Sequence, residues 1–234
     1  MNVEQVAATA RQQQARALLD GLHATQFGSL PESLLASARS SALGRRMLAR
    51  TMSRRLPDLF APDQERWQSW QNSEGWLQWP QSRLESFTRT LGAMALGPAL
   101  RMIVERSTVL FVRDVLGQDH WRQAQLAAPW KGAPPETIRL MGATVLRRCG
   151  NDAEALTTAI FERGQIEFIG HAERRHPELA TRLALGYAQA PATPCSKETW
   201  LPLNTVADLL AAEAATDALL LQAKFTPLEE DPPP

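Results

Sequence analysis

The 234-residue sequence predicts a mainly α-helical fold, an irregular multi-helix bundle with little or no sheet. Three observations predict it. Ala (35) and Leu (32) far outnumber Val (8) and Ile (5), and there is a single Tyr. Ala and Leu lose little entropy in a helix, whereas sheets favour β-branched and aromatic side chains. Apolar residues also recur at helical spacing in one segment after another. Finally, 44% hydrophobic and 21% charged residues over this length are enough to close a folded core.

Taken in order, Val3, Val6, Ala7, Ala10, Ala17, Leu18 and Leu22 make residues 3–26 a weakly amphipathic helical start. Ser29-Leu30-Pro31-Glu32 has the form of a capping box, with Ser29 as N-cap. One helix is expected from there to Pro57, with Leu34, Leu35, Ala38, Ala42, Met47, Leu48 and Met52 on its apolar side. Arg39, Arg45, Arg46, Arg50, Arg54 and Arg55 form its other side. Residues 61–80 hold Trp67, Trp70, Trp76 and Trp79 around a polar turn. Ser82, with Glu85 three residues on, is placed to cap a helix through Leu84, Phe87, Leu91 and Met94 that ends at Gly97-Pro98. Leu100, Ile103, Val104, Ser107, Phe111 and Val115 then follow the period of a core helix closed by Gly117.

Asp119 opens a short helix to Leu126, and Pro129–Pro135 reads as a linker. Ile138, Met141, Val145, Leu146 and Cys149 mark the next helix, stopped by Gly150. Asn151-Asp152 caps a longer one through Leu156, Ile160, Phe161, Ile166 and Ile169. A further helix is expected over 178–188, a loop over 189–203, and a last helix from Asn204 to Phe225. Leu91, Leu100, Ile103, Val104, Phe111, Val115, Val145 and Ile160 are the expected core. The expected organisation is a helical region 1–128, a second over 129–226, or one continuous domain, and a disordered acidic tail 227–234.

Twenty-five basic groups balance twenty-five acids, which speaks against a generic nucleic-acid binder. The balance is uneven along the chain: residues 1–56 carry net +5, residues 57–149 net +2 and residues 150–234 net −7. The ends therefore either complement each other inside the fold or face different partners. No apolar run approaches the ~18 residues of a membrane span, so no membrane insertion is expected. The first residues lack a secretion signal, and two cysteines are too few for a disulfide framework. A cytoplasmic protein is the expectation.

Glu167, His171, Glu173 and His176 are the most enzyme-like cluster, but two metal-binding histidines need i, i+4 spacing and His171 and His176 lie five apart. A solvated helix face is the expectation there. His171-Ala172-Glu173 followed by Pro194-Cys195 lacks the second cysteine of a zinc deaminase. No nucleophile elbow or phosphate loop is present, and Gly92–Gly97 reads as close helix packing. No enzymatic activity, cofactor or metal is expected. The competing readings are a metal-dependent hydrolase using Glu167, His171 and Glu173, and a helical chaperone or regulator. The tryptophans are either core fillers or interface anchors. Arg46, Arg50 and Arg54, at i, i+4 and i+8, with Trp67 and Trp70, are the candidate partner-binding residues.

Trp76-Leu77-Gln78-Trp79-Pro80, Arg83-Leu84-Glu85-Ser86-Phe87, and Leu91-Gly92-Ala93-Met94-Ala95-Leu96-Gly97-Pro98-Ala99-Leu100-Arg101-Met102-Ile103-Val104 together resemble the SctK family. Val112–Gly117 and His120–Leu126 extend the likeness, and Glu178–Leu183 echoes it. These are non-enzymatic cytoplasmic adaptors of the bacterial type III secretion sorting platform. The resemblance implies a link between the pod protein (SctQ class) and the cytoplasmic domain of the inner-membrane ring protein (SctD class). It also implies indirect association with the stator (SctL class) and the ATPase (SctN class), at the cytoplasmic face of the inner membrane.

Overall fold

A computed structural model describes residues 19–57, 75–188 and 199–225, the side chains of Gln78 and of 217–225 excepted. The described residues are helical, without strands. Nine α-helices lie among them: α1 (Glu32–Ser40), α2 (Ala42–Arg55), α3 (Gln81–Leu100), α4 (Arg106–Leu116), α5 (Gln118–Leu126), α6 (Glu136–Cys149), α7 (Ala153–Arg175), α8 (Pro177–Ala184) and α9 (Thr205–Phe225). Short 3-10 turns occupy Ala24–Phe27 and Gly75–Gln78. Most of the proposed start at 3–26 and the acidic tail lie outside the described residues, as does most of the 189–203 loop.

Helices α3 and α7 form the centre. Every residue from Leu91 to Leu100 is buried, as is most of α7 from Arg163 to Ala172. Two helices buried on all sides must approach closely, and glycine makes that approach. A Cβ at Gly92 would strike the Ile160 carbonyl, and one at Gly164 would strike the Thr88 carbonyl and come within 3.0 Å of Gly92 N. Further along α3, a Cβ at Gly97 would lie 2.7 Å from Ala124 O on α5. On α6, a Cβ at Gly142 would lie 2.8 Å from Ala99 Cβ. The small residues of 92–97 are thus packing residues, as the sequence predicts.

Around this crossing, Trp76, Trp79, Phe87 and Phe168 stack edge-on, with ring centroids 5.1–5.4 Å apart. Each buried aromatic or leucine here contributes about 1.5–3 kcal/mol. Thr88 donates to Leu84 O (2.7 Å) and therefore accepts from the Tyr187 hydroxyl (2.7 Å), which ties the turn after α8 to α3. Arg182 is also buried and donates to Leu77 O at 2.7 Å. Burial pushes its pKa down to about 9, so it stays charged at neutral pH.

Several boundaries differ from expectation. The segment from Pro31 to Pro57 is two helices, because Ser41 turns extended and caps α2 by accepting from Gly44 N (3.0 Å). Pro31, not Ser29, precedes α1, and Pro80, not Ser82, precedes α3. Leu34 and Met47, expected on the apolar side, are exposed. Helix α3 runs through Gly97-Pro98 to Leu100. The proline forgoes one backbone hydrogen bond in the final turn, where burial on every side keeps the helix intact. The break falls at 101–105 instead, which leaves Val104 95% exposed and Ile103 half-buried. Phe111, Val115 and Val145 are half-buried too, whereas Leu91, Leu100 and Ile160 are core as expected. The helix placed at 178–188 is α8, which starts at Pro177 and ends at Ala184.

The caps at Gly117 (φ +75°) and Gly150 (φ +55°) stand as read from the sequence. So does Asp152, which accepts from Glu154 N and Ala155 N at the start of α7. Arg101 donates to Ala124 O (2.6 Å) and Ala127 O (3.3 Å), closing the carbonyl end of α5.

Candidate interaction surface

The six arginines of the α1–α2 region divide into two sets. Arg39 donates to Leu22 O (2.7 Å) and lies over the Phe27 ring. Arg45 donates to Arg39 O (2.7 Å) and Ser40 O (3.3 Å), covering the carbonyl end of α1. Arg55 donates to Gln26 O (3.0 Å). Arg45 thus joins α2 to α1, and Arg39 and Arg55 fasten the two helices to the segment before them. Burial lowers the pKa of Arg39, with Asp20 acting the other way.

Arg46, Arg50 and Arg54 are exposed. Arg46 reaches only Ala42 O one turn back (3.3 Å), and Arg50 and Arg54 have no side-chain partner among the described residues. At about 100° per residue these three share an arc of about 100° with Leu43 and Met47. Those two apolar side chains are 65% and 63% exposed. The opposite side of α2 carries the buried Leu48 and Met52, which seat the helix. The outer face of α2 therefore presents two apolar side chains in its first half, interleaved with Arg46, and two further guanidinium groups in its second half. Trp67 and Trp70, the other candidate partner-binding residues, lie outside the described residues, while Trp76 and Trp79 are core.

Of the cluster expected on a solvated face, Glu167 and His171 are buried instead, and Glu173 and His176 are half-buried. Glu167 is 1% exposed, and its carboxylate accepts from Trp200 N (2.7 Å) and Leu201 N (3.1 Å). It pairs with Arg163, one turn earlier, at 3.0 Å, and the Arg163 guanidinium lies over the Trp200 ring at 4.4 Å. Burial pushes the Glu167 carboxyl above the usual carboxylate range, against the pull of Arg163 and the two N–H groups. His171, also buried, is pushed down to about 4 by burial and by the charges of Arg175 and Arg174. Both carboxylate oxygens of Glu167 are engaged in fastening the segment before α9 onto α7. No group of three or more His, Cys, Asp or Glu is placed to hold a metal ion among the described residues.

A cavity beside Arg182, lined by Gly21, Leu22, Trp76, Leu77, Leu84 and Leu183, measures about 10 Å³, room for one water. No helix among the described residues is long and apolar enough to cross a membrane. Comparison with protein-family models, curated proteins and solved structures found no match for this chain.

Proposed function

We propose that this chain is a non-enzymatic adaptor of a bacterial type III secretion sorting platform. In this reading it links the SctQ-class pod protein to the cytoplasmic domain of the SctD-class ring protein, and works in the cytoplasm against the inner membrane. The observation that carries the adaptor reading is the outer face of α2. There Leu43, Met47, Arg46, Arg50 and Arg54 are exposed together, while the neighbouring arginines serve the fold. Side chains with both apolar surface and planar charge are the ones that make protein contacts. The assignment to secretion is supported by the likeness of residues 76–126, which form α3, α4 and α5.

The test is co-expression with the SctQ-class and SctD-class proteins of the same bacterium, followed by size-exclusion chromatography. A complex containing all three proteins is the expected result. A wild-type chain that co-elutes with neither would end this reading.

A further inference from the structure

Resting on the adaptor reading, we infer that the outer face of α2 seats an acidic amphipathic helix of a partner protein, lying antiparallel to α2. Charge complementarity selects the occupant. Arg46, Arg50 and Arg54 recur every fourth residue, so their guanidinium groups rise about 6 Å apart along the axis and match carboxylates at i, i+4 spacing on a facing helix. Leu43 and Met47, one turn apart in the first half of α2 and flanking Arg46, give that helix an apolar seat and exclude water from the adjoining charges. The polarity follows from the same layout. Carboxylates are favoured in the first turn of a helix, and a partner whose first turn lies over Arg50 and Arg54 runs opposite to α2.

Two other classes of anionic partner fit this face less well. A helix that lies in a membrane needs an apolar stripe along its length, and this face has two large apolar side chains, both in its first half. Exposed leucine and methionine add nothing to a phosphate backbone contact, whereas they seat the apolar side chains of a protein helix. Among the described residues, Arg46, Arg50 and Arg54 neither bridge to another element nor cap one, unlike Arg39, Arg45 and Arg55.

The test uses the full chain and an acetylated, fluorescently labelled helical peptide of about 18 residues, a length at which an isolated helix begins to persist. One face of the peptide carries three glutamates in its first half and two leucines in its second. Wild type should bind it with an affinity that falls as salt rises. R46E/R50E/R54E should weaken binding at least tenfold, and L43S/M47S severalfold. The charge-reversed peptide, with lysines for glutamates, should bind the triple-Glu variant and not wild type. Circular dichroism and the denaturation midpoint of each variant verify that the fold is kept.

Failure of wild type to bind the peptide, or equal binding by the triple-Glu variant, would overturn the inference. So would tighter binding of wild type to vesicles rich in anionic lipid or to a short DNA duplex. A tenfold gain in peptide affinity on removing residues 227–234 would assign the face to the chain's own acidic tail instead. These outcomes are separate from the adaptor reading, which stands or falls on co-elution with the pod and ring proteins.

Discussion

The carboxylate of Glu167, in the middle of α7, holds the backbone N–H of Trp200 at 2.7 Å, 33 residues further along the chain. One acidic side chain thereby accepts from two main-chain donors and pairs with a buried guanidinium at once. Glu167→Ala removes the acceptor of both N–H groups and the carboxylate beside Arg163, and should cost about 3–5 kcal/mol. Glu167→Gln keeps an acceptor without the charge and should cost about 1–3 kcal/mol. Urea denaturation of both proteins measures the difference. A midpoint for Glu167→Ala within error of wild type would mean that this cluster is not closed in solution.

His171 makes stability depend on pH. Its imidazole is held down to about 4, against 6.5 for a free histidine. Between those values the unfolded chain takes up a proton that the folded chain refuses, so acidification favours unfolding. The contribution of His171 is intact above pH 6.5 and is lost as pH falls toward 4, about 2 kcal/mol between pH 7 and 4.5. The raised pKa of Glu167 acts in the opposite sense, since stability falls as pH rises from its unfolded to its folded value. Comparing wild type with His171→Gln isolates the histidine. The substituted protein should lose less stability between pH 7 and 4.5, and parallel curves would contradict the assignment.

Gly92→Ala and Gly164→Ala each place a methyl group into a backbone that cannot move aside without separating α3 from α7. Overpacking of a core costs about 1–3 kcal/mol, and a clash with main chain lies at the upper end or beyond. Both variants should lose thermal stability sharply, whereas Gly75→Ala, which meets nothing, should not. A near-native melting temperature for Gly92→Ala would show that the crossing is looser than described.

The displaced break after α3 supplies its own check. Leu100→Ala should cost about 2–5 kcal/mol, as expected for a leucine 1% exposed. Val104→Ala, at a side chain 95% exposed, should be neutral within about 0.5 kcal/mol. Equal costs would restore the continuous core helix that the periodicity suggests.

That periodicity shows where sequence reading succeeds and where it stops. Local chemistry was legible: Asp152 caps α7, Gly117 and Gly150 end their helices, and Gly92 packs closely, each for reasons within a few residues. Val104 was misplaced because the i, i+3, i+4 pattern continues arithmetically across the break at 101–105. The break at Ser41 shifts the phase between α1 and α2, so Arg39 does not continue the stripe of the later arginines; within α2 itself, 100° per residue separates Arg45 and Arg55 from Arg46, Arg50 and Arg54. Glu167 was illegible for a different reason. An Arg163–Glu167 pair has the same spacing on a wet face or a dry one, and its donors at Trp200 and Leu201 are far away in sequence. The neighbouring Gly164 and Gly170 were the available signal, because glycines inside a long helix mark a side that something approaches closely.

Alanine and leucine are a permissive pair from which to build a bundle, because many slides and rotations of one helix against another bury them almost equally well. The glycine contacts along α3 remove that freedom. Each admits a neighbour at one height and one angle only. A slip of a single residue would turn the helix by about 100° and bring the side chain of Leu91 or Ala93 to the place where the Ile160 carbonyl now rests. Three such notches, against α7, α5 and α6, act like the cuts of a key. They select one arrangement from a nearly degenerate set, and a chain of common residues thereby acquires a single, well-defined core.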